Sequence, residues 1–283
     1  MTLVGALVAV ARPLNCAITA LSVLVGALTS GRLAWGWPLA VAAASAALIT
    51  GAGNAYNDLR DLDIDRINRP LRPLPSGRLS PRGARRFSAL LGLSGLAGAA
   101  YLGWLPLAVA LSVAAGLAAY SAWLKRRPVG GNLLVAAMAA AAFPYGALAM
   151  GTWGRSAIPA LFALLFHCGR ELIKDAEDSE GDRASGARTL ALLLGPGAAR
   201  WAGGSVFAVL AACTAAPALL GLYGLPYIAP VALMNAAVGA AFAIAAARPL
   251  PAGSQFLSRC LTGAMVLGLL SITLGELWPP TGG

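Results

Sequence analysis

WPLAVAAASAALITGAGNAYNDLRDLDIDR, residues 37–66, is an apolar run that ends in carboxylates. Its first part, with Gly36, carries no charge through residue 56, about the length a helix needs to cross a bilayer. Its end carries Asp58, Asp61 and Asp65 in the pattern D-x-x-D-x-x-x-D. Steps of three and four put those side chains within roughly 60° of each other on one helical face. Asn54 precedes Asp58 by one turn, and Asp63 points away toward solvent or a nearby Arg. Three stacked carboxylates repel one another unless a cation neutralises them. This stretch therefore reads as a membrane span capped by a cation-binding face.

The rest of the chain agrees with a membrane reading. Of 283 residues, 58% are hydrophobic and 11% charged, against about a quarter charged in soluble domains. Apolar runs near 13–31, 36–56, 86–104, 105–123, 131–151, 156–174, 200–222, 226–247 and 256–277 predict about nine transmembrane helices. The third and fourth are parted near Pro106. No cleavable-signal pattern or linker is visible, so residues 1–283 read as one integral-membrane domain. With the N-terminus inside, every Lys and Arg except Arg32 and Arg155 falls in the cytoplasmic loops and their flanks, as the positive-inside rule requires. The formal charge of +10 is thereby explained by topology and anionic headgroups, and nucleic acid is not an expected partner. Cys16, Cys168, Cys213 and Cys260 are scattered and read as small core residues. A single histidine, His167, excludes zinc sites and Ser-His-Asp chemistry.

The acids repeat the design of the first stretch. Apart from Glu276, those outside the first cluster are Glu171, Asp175, Glu177, Asp178, Glu180 and Asp182. Asp175, Asp178 and Asp182 repeat D-x-x-D-x-x-x-D, with Glu171 one turn earlier and Gly181 a candidate helix break. A solvated charged loop is the plain alternative for one such cluster, and a poor one for two of matching spacing. All-oxygen ligands suit Mg²⁺, which binds one or two carboxylates, waters and substrate phosphate oxygens. Two such faces meeting across a bundle would hold a diphosphate through bridging Mg²⁺ and stabilise it as a leaving group.

These residues resemble a known family. NDLRDLDID (57–65), NRPLRPLPSG (68–77) and GRELIKDAEDSEGDR (169–183) are similar to the motifs of UbiA-type intramembrane prenyltransferases. Tyr120-Ser121, Leu124-Lys125-Arg126 and Gly131-Asn132 resemble the region joining that family's fourth and fifth spans. The resemblance implies an all-α polytopic bundle with a lipid-open central cavity, and Mg²⁺-dependent transfer of a prenyl group from prenyl diphosphate to a lipophilic acceptor. RPLN (12–15), the 169–183 run and GARTL (186–190) look most like the digeranylgeranylglyceryl phosphate synthase branch. Its members add a geranylgeranyl chain, from geranylgeranyl diphosphate, to geranylgeranylglyceryl phosphate. The nearest rival is an aromatic acceptor, as in quinone, chlorophyll or haem O biosynthesis. A CDP-alcohol phosphotransferase lacks support because its DGxxAR opening is missing. A Mg²⁺ transporter would need acids along a transmembrane path rather than gathered at one face.

The expected Mg²⁺ ligands are Asp58, Asp61, Asp65, Asp175, Asp178 and Asp182. Lys125 is placed with them as a catalytic cation. Asn54, Asn57, Arg66, Lys174, Asn132 and Asn15 are candidates for substrate contact. Arg69 and Arg72, on a proline-stiffened loop, are candidates to clamp an anionic acceptor. Asn235 reads as a cavity or bridging amide, and Phe143 or Tyr145 as an aromatic contact to a carbocation.

Overall fold

The computed structural model describes residues 2–124, 130–184, 186 and 189–280. Among them it is helical, with fourteen α-helices: α1 (Leu3–Ala11), α2 (Pro13–Leu28), α3 (Trp37–Arg60), α4 (Leu62–Asn68), α5 (Pro81–Leu102), α6 (Trp104–Ala119), α7 (Gly130–Ala140), α8 (Ala142–Ala149), α9 (Ala157–Glu177), α10 (Ser179–Ala184), α11 (Leu190–Leu194), α12 (Pro196–Leu219), α13 (Leu225–Ala246) and α14 (Leu250–Leu277). A π-helical turn, Tyr120–Leu124, follows α6.

Proline and glycine set the punctuation. Pro13, Pro81 and Pro196 open their helices, where a missing N–H costs nothing. The break between α5 and α6 falls at Gly103, with φ 123°, and not at Pro106, which is accommodated inside α6. A helix was not expected before residue 13. α1 nevertheless forms there and meets α2 at a 47° bend, because Pro13 cannot continue the hydrogen-bond ladder.

Among the described residues, six helical runs are long and apolar enough to cross a membrane, and seven if the bent pair α1–α2 is one span. Nine were expected. The two remaining are α5 and α9, which have the length but carry Arg82, Arg85 and Arg86, or Arg170, Glu171, Lys174, Asp175 and Glu177, within it. The multi-pass character stands, while the finer count is not reached on length and composition.

The chain divides into two compact units, Met1–Lys125 with Ala141–Ala157, and Arg126–Ala140 with Ile158–Gly283. In the first, α3 lies against α2 and α5, and α8 against α2. Small residues let these backbones approach, which substitutes for a hydrophobic driving force between helices in lipid. A Cβ built on Gly146 would stand 2.0 Å from the Val23 carbonyl oxygen, and one on Gly26 2.1 Å from that of Phe143. Val23, Ala42, Ile49, Ala99, Ala110 and Ala142 are buried at this core with Tyr145. The Tyr145 hydroxyl donates to Ser45 Oγ at 2.8 Å, which donates to the Gly95 carbonyl at 2.6 Å. Tyr145 is thus a bridge among α8, α3 and α5, and Phe143 is buried beside it.

A second cluster joins Ala6 and Val10 of α1 with Ala55, Leu74, Leu79 and Ala84. It anchors the 69–80 loop over the acidic end of α3. Trp35, Trp37, Trp104 and Trp153 are exposed at the opposite end of these helices, where interfacial aromatics belong.

In the second unit, α13 runs along α14 and α12 neighbours both. Gly169 and Gly203 let α9 and α12 meet closely, since a Cβ on Gly203 would stand 2.9 Å from the Gly169 carbonyl. Phe166 and Phe207 pack edge to face at 5.2 Å. Asn235 donates to Thr214 Oγ1 at 3.0 Å, so it bridges α13 to α12. Buried Arg200 donates to the Ala245 carbonyl at 3.1 Å, capping the end of α13. The four cysteines are unpaired.

Gly146→Ala is expected to lower the melting temperature in detergent by about 5 °C, from overpacking of about 1–3 kcal/mol. Gly239→Ala, where an added Cβ meets nothing within 4 Å, should leave it unchanged. A thermal-shift assay compares the two.

Candidate active site

The expected carboxylate face is present at the end of α3. The helix ends at Arg60 and restarts at Leu62, with Asp61 at the junction. The junction keeps the ladder running, since the Asp61 N–H donates to the Asn57 carbonyl at 3.0 Å and the Asp65 N–H to the Asp61 carbonyl at 2.8 Å. Asp58, Asp61 and Asp65 are consequently all buried.

A buried carboxylate needs a partner, and two arginines supply it. Arg12 Nη2 donates to Asp58 Oδ1 at 2.5 Å. Arg72 Nη1 donates to Asp65 Oδ2 at 2.6 Å and lies 3.5 Å from the same Asp58 oxygen. The Asp58 and Asp65 side chains are 6% and 9% exposed, so these pairs are shielded from solvent screening. Asn57 donates to Asp61 Oδ2 at 2.8 Å and accepts from Ser121 of the π-helical turn at 3.3 Å.

The loop carrying Arg72 locks itself. Ser76 Oγ donates to the Arg72 carbonyl, and Arg78 reaches both Ser76 Oγ and the Leu71 carbonyl. Arg69 stays exposed at its rim.

Some candidates sit elsewhere than expected. Arg66 pairs with Asp63 at 2.9 Å on the exposed side, away from the buried carboxylates. Asn54 donates to the Ala11 carbonyl at 2.9 Å, so its amide holds the α1–α2 bend. The Asn15 side chain is exposed. Lys125 lies outside the described residues, as do Arg126 and Arg188.

In the second unit the acidic run also changes helix midway. The break falls at Asp178, between α9 and α10, rather than at Gly181, which lies inside α10. The Asp178 and Asp182 amides keep helical bonds to Lys174 and Asp178, at 2.9 Å each. Asp175, Asp178 and Asp182 are half-buried. Asn132 of α7 donates to Asp175 Oδ2 at 2.8 Å. Burial pushes the Asp175 carboxyl, past the apolar part of α9, up to about 6; the Asn132 bond and Lys174 oppose it, while Glu171 and Asp182 add to it. Buried Glu171 is flanked by Lys174 at 3.4 Å and Arg170 at 3.5 Å. Glu177, half-buried, accepts from Ser258 of α14 at 2.7 Å.

Among the described residues, no three His, Cys, Asp or Glu side chains form a ready-made metal cluster. What each unit holds is a carboxylate face with amides and cations placed against it. Arg12, which was not among the site candidates, joins this face through Asp58. In the sequence it stood for membrane orientation and as part of the RPLN stretch, although a cation directly before a helix-opening proline was a readable signal.

Apolar helices in this number, ending in buried, charge-matched carboxylates, define a multi-pass membrane protein with a polar site at helix ends. The chain belongs to the UbiA prenyltransferase family, whose model matches residues 16–248, and it is a prenyltransferase. It is 41% identical over 239 residues to a digeranylgeranylglyceryl phosphate synthase of Methanoculleus marisnigri, covering 82% of this chain and 83% of the relative. A solved structure described as giving structural and mechanistic insights into digeranylgeranylglyceryl phosphate synthase in membranes superposes with TM-score 0.79 at 26% identity, over 98% of this chain and 99% of that one. A UbiA homologue from Archaeoglobus fulgidus, solved bound to GPP and Mg²⁺, shares the fold with TM-score 0.70 at 19% identity, over 95% and 99% of the two chains.

Asn132→Ala removes the donor that holds Asp175. Prenyl transfer is expected to fall about tenfold or more, with the melting temperature nearly unchanged. Turnover and thermal-shift measurements on the same preparation check this.

Proposed function

We propose that this enzyme transfers a geranylgeranyl group from geranylgeranyl diphosphate to geranylgeranylglyceryl phosphate, forming the second ether bond of a membrane lipid. The observation that carries the reading is the buried face of Asp58, Asp61 and Asp65 with Arg12 and Arg72 against it. The name borne by the Methanoculleus relative supports this acceptor over an aromatic one.

The donor set fits Mg²⁺. It is all oxygen, it is already matched by positive charge, and it offers fewer carboxylates at one point than a closed protein cage would need. That is the manner of Mg²⁺, which completes its shell with water and substrate phosphate. Asp58, Asp61 and Asp65 in the first unit, and Asp175, Asp178 and Asp182 in the second, are each a set fit to hold Mg²⁺. Once bound, the ion neutralises the charge that develops on the departing pyrophosphate.

The chain's own groups do the remaining work. Asn132 fixes the orientation of Asp175. Asn57 fixes Asp61. Arg69, Lys125 and Lys174 supply positive charge for the diphosphate and for the acceptor's phosphate. The glycerol hydroxyl attacks C1 of the prenyl chain as the C–O bond to diphosphate breaks, and its proton leaves to a site carboxylate or to the released pyrophosphate. α5 and α9 serve as further spans, giving nine with the seven apolar ones. The 283 residues act as one membrane domain. The arginine distribution supports a cytoplasmic N-terminus and a cytoplasmic active site.

Purified protein given geranylgeranyl diphosphate, geranylgeranylglyceryl phosphate and Mg²⁺ should yield the doubly prenylated lipid by mass spectrometry, and EDTA should abolish it. Asp58→Ala and Asp175→Ala should each lower turnover by about 10²-fold or more in protein that still folds. Alkylation of an aromatic acceptor alone would overturn the acceptor. Full activity in both variants would overturn the metal site.

A further inference from the structure

Arg12 is the only described non-glycine residue with positive φ, at 55°. Side chains with a Cβ occupy that region reluctantly, and such residues persist where the surroundings over-determine them. Here three independent contacts do so. Pro13 ends the ladder of α1 and opens α2. The Ala11 carbonyl receives the Asn54 amide at 2.9 Å and Cys16 Sγ at 3.2 Å. The Asn15 N–H turns instead to the Arg12 carbonyl at 3.0 Å. The bend is therefore built, and its product is a guanidinium aimed at Asp58 Oδ1.

That oxygen is an unusual place for a permanent ion pair. It takes Arg12 at 2.5 Å and the weaker Arg72 contact at 3.5 Å, while Arg72 makes its own short bond to Asp65. Arg12 serves Asp58, and Arg72 mainly serves Asp65. Mg²⁺ at Oδ1 competes with the guanidinium, because two cations that close repel and one of the oxygen's lone pairs is already taken.

We infer that Arg12 is a built-in counter-cation that occupies the Asp58 metal seat and gives it up to Mg²⁺. This rests on the reading of Asp58 as a Mg²⁺ ligand. Before metal arrives, the guanidinium keeps the buried carboxylate paired and in place, which an unpartnered group in that position would not be. Where Mg²⁺ would bind Oδ1, the guanidinium would give the oxygen up to it. Arg12 is thus a positioning residue with a cost attached: it weakens metal binding so that the empty site stays formed.

The test is Mg²⁺ titration of the purified, substrate-free protein by calorimetry, with thermal shift on the same samples. Arg12→Gln keeps a hydrogen-bond donor and removes the charge. It should bind Mg²⁺ at least threefold more tightly than wild type, melt lower without metal, and gain more in melting temperature when Mg²⁺ is added. Arg12→Lys, which keeps a charge without the planar fork, should fall between the two. Arg32→Gln, an exposed site outside the cluster, should match wild type. Unchanged or weaker Mg²⁺ binding in both Arg12 variants would overturn the inference and leave the proposed function standing. Should Arg12→Gln not fold, Arg12→Lys decides by the same sign of change. Wild-type protein that binds no Mg²⁺, alone or with inorganic pyrophosphate, would instead overturn the metal site on which the inference rests.

Discussion

Negative charge buried at the end of a membrane helix must be matched at short range, and in the first unit the matching governs local structure. Asp58 and Asp65 sit where water cannot screen them. Their counter-charges come from two segments far apart in sequence, the α1–α2 bend and the 69–80 loop. Each of these is otherwise held by apolar packing, through Ala6 and Val10 on one side and Leu74 and Leu79 on the other. The loop is further tied by Ser76 and Arg78. Apolar burial fixes the segments, and the fixed segments deliver guanidinium groups to the carboxylates. The electrostatic site is stable because the core beneath it is.

The scaffold of this unit follows lipid rules. Apolar area drives helices into the bilayer but does little to bring them together there, so close approach depends on small residues and on hydrogen bonds between helices. The tight crossing of α2 with α8 at Gly26 and Gly146, and the Tyr145–Ser45–Gly95 chain, are one instance of each. The second unit uses the same means in Gly169 against Gly203 and Asn235 against Thr214.

Much of this could be read from residue order because the governing signals are local. Spans announce themselves by length and apolarity, and the starts of α2, α5 and α12 by a proline. Carboxylates spaced three and four apart share a helical face whatever the rest of the chain does. Asp63 was placed outside the site on that ground, and its exposed pair with Arg66 agrees. What escaped depends on contacts between distant residues. Nothing in the neighbourhood of Asn54 says that its partner is the Ala11 carbonyl. The same holds for Glu177 and Ser258, which are 81 residues apart. The helix break at Asp178 rather than at Gly181 shows tertiary setting overriding a local propensity. The span count fell short at α5 and α9 for a different reason: each carries several charged residues within its length.

The bond from Asn54 to the Ala11 carbonyl changes how a defect at that asparagine would be interpreted. A motif residue one turn from a carboxylate invites the conclusion that its loss removes a ligand. In this molecule its amide supports the elbow from which Arg12 extends. A substitution there would disturb the reach of a side chain 42 positions earlier, and the lost rate would report mechanical support as well as any contact to the substrate. Motif membership does not by itself assign a chemical duty, and at Asn54 a structural one stands beside it.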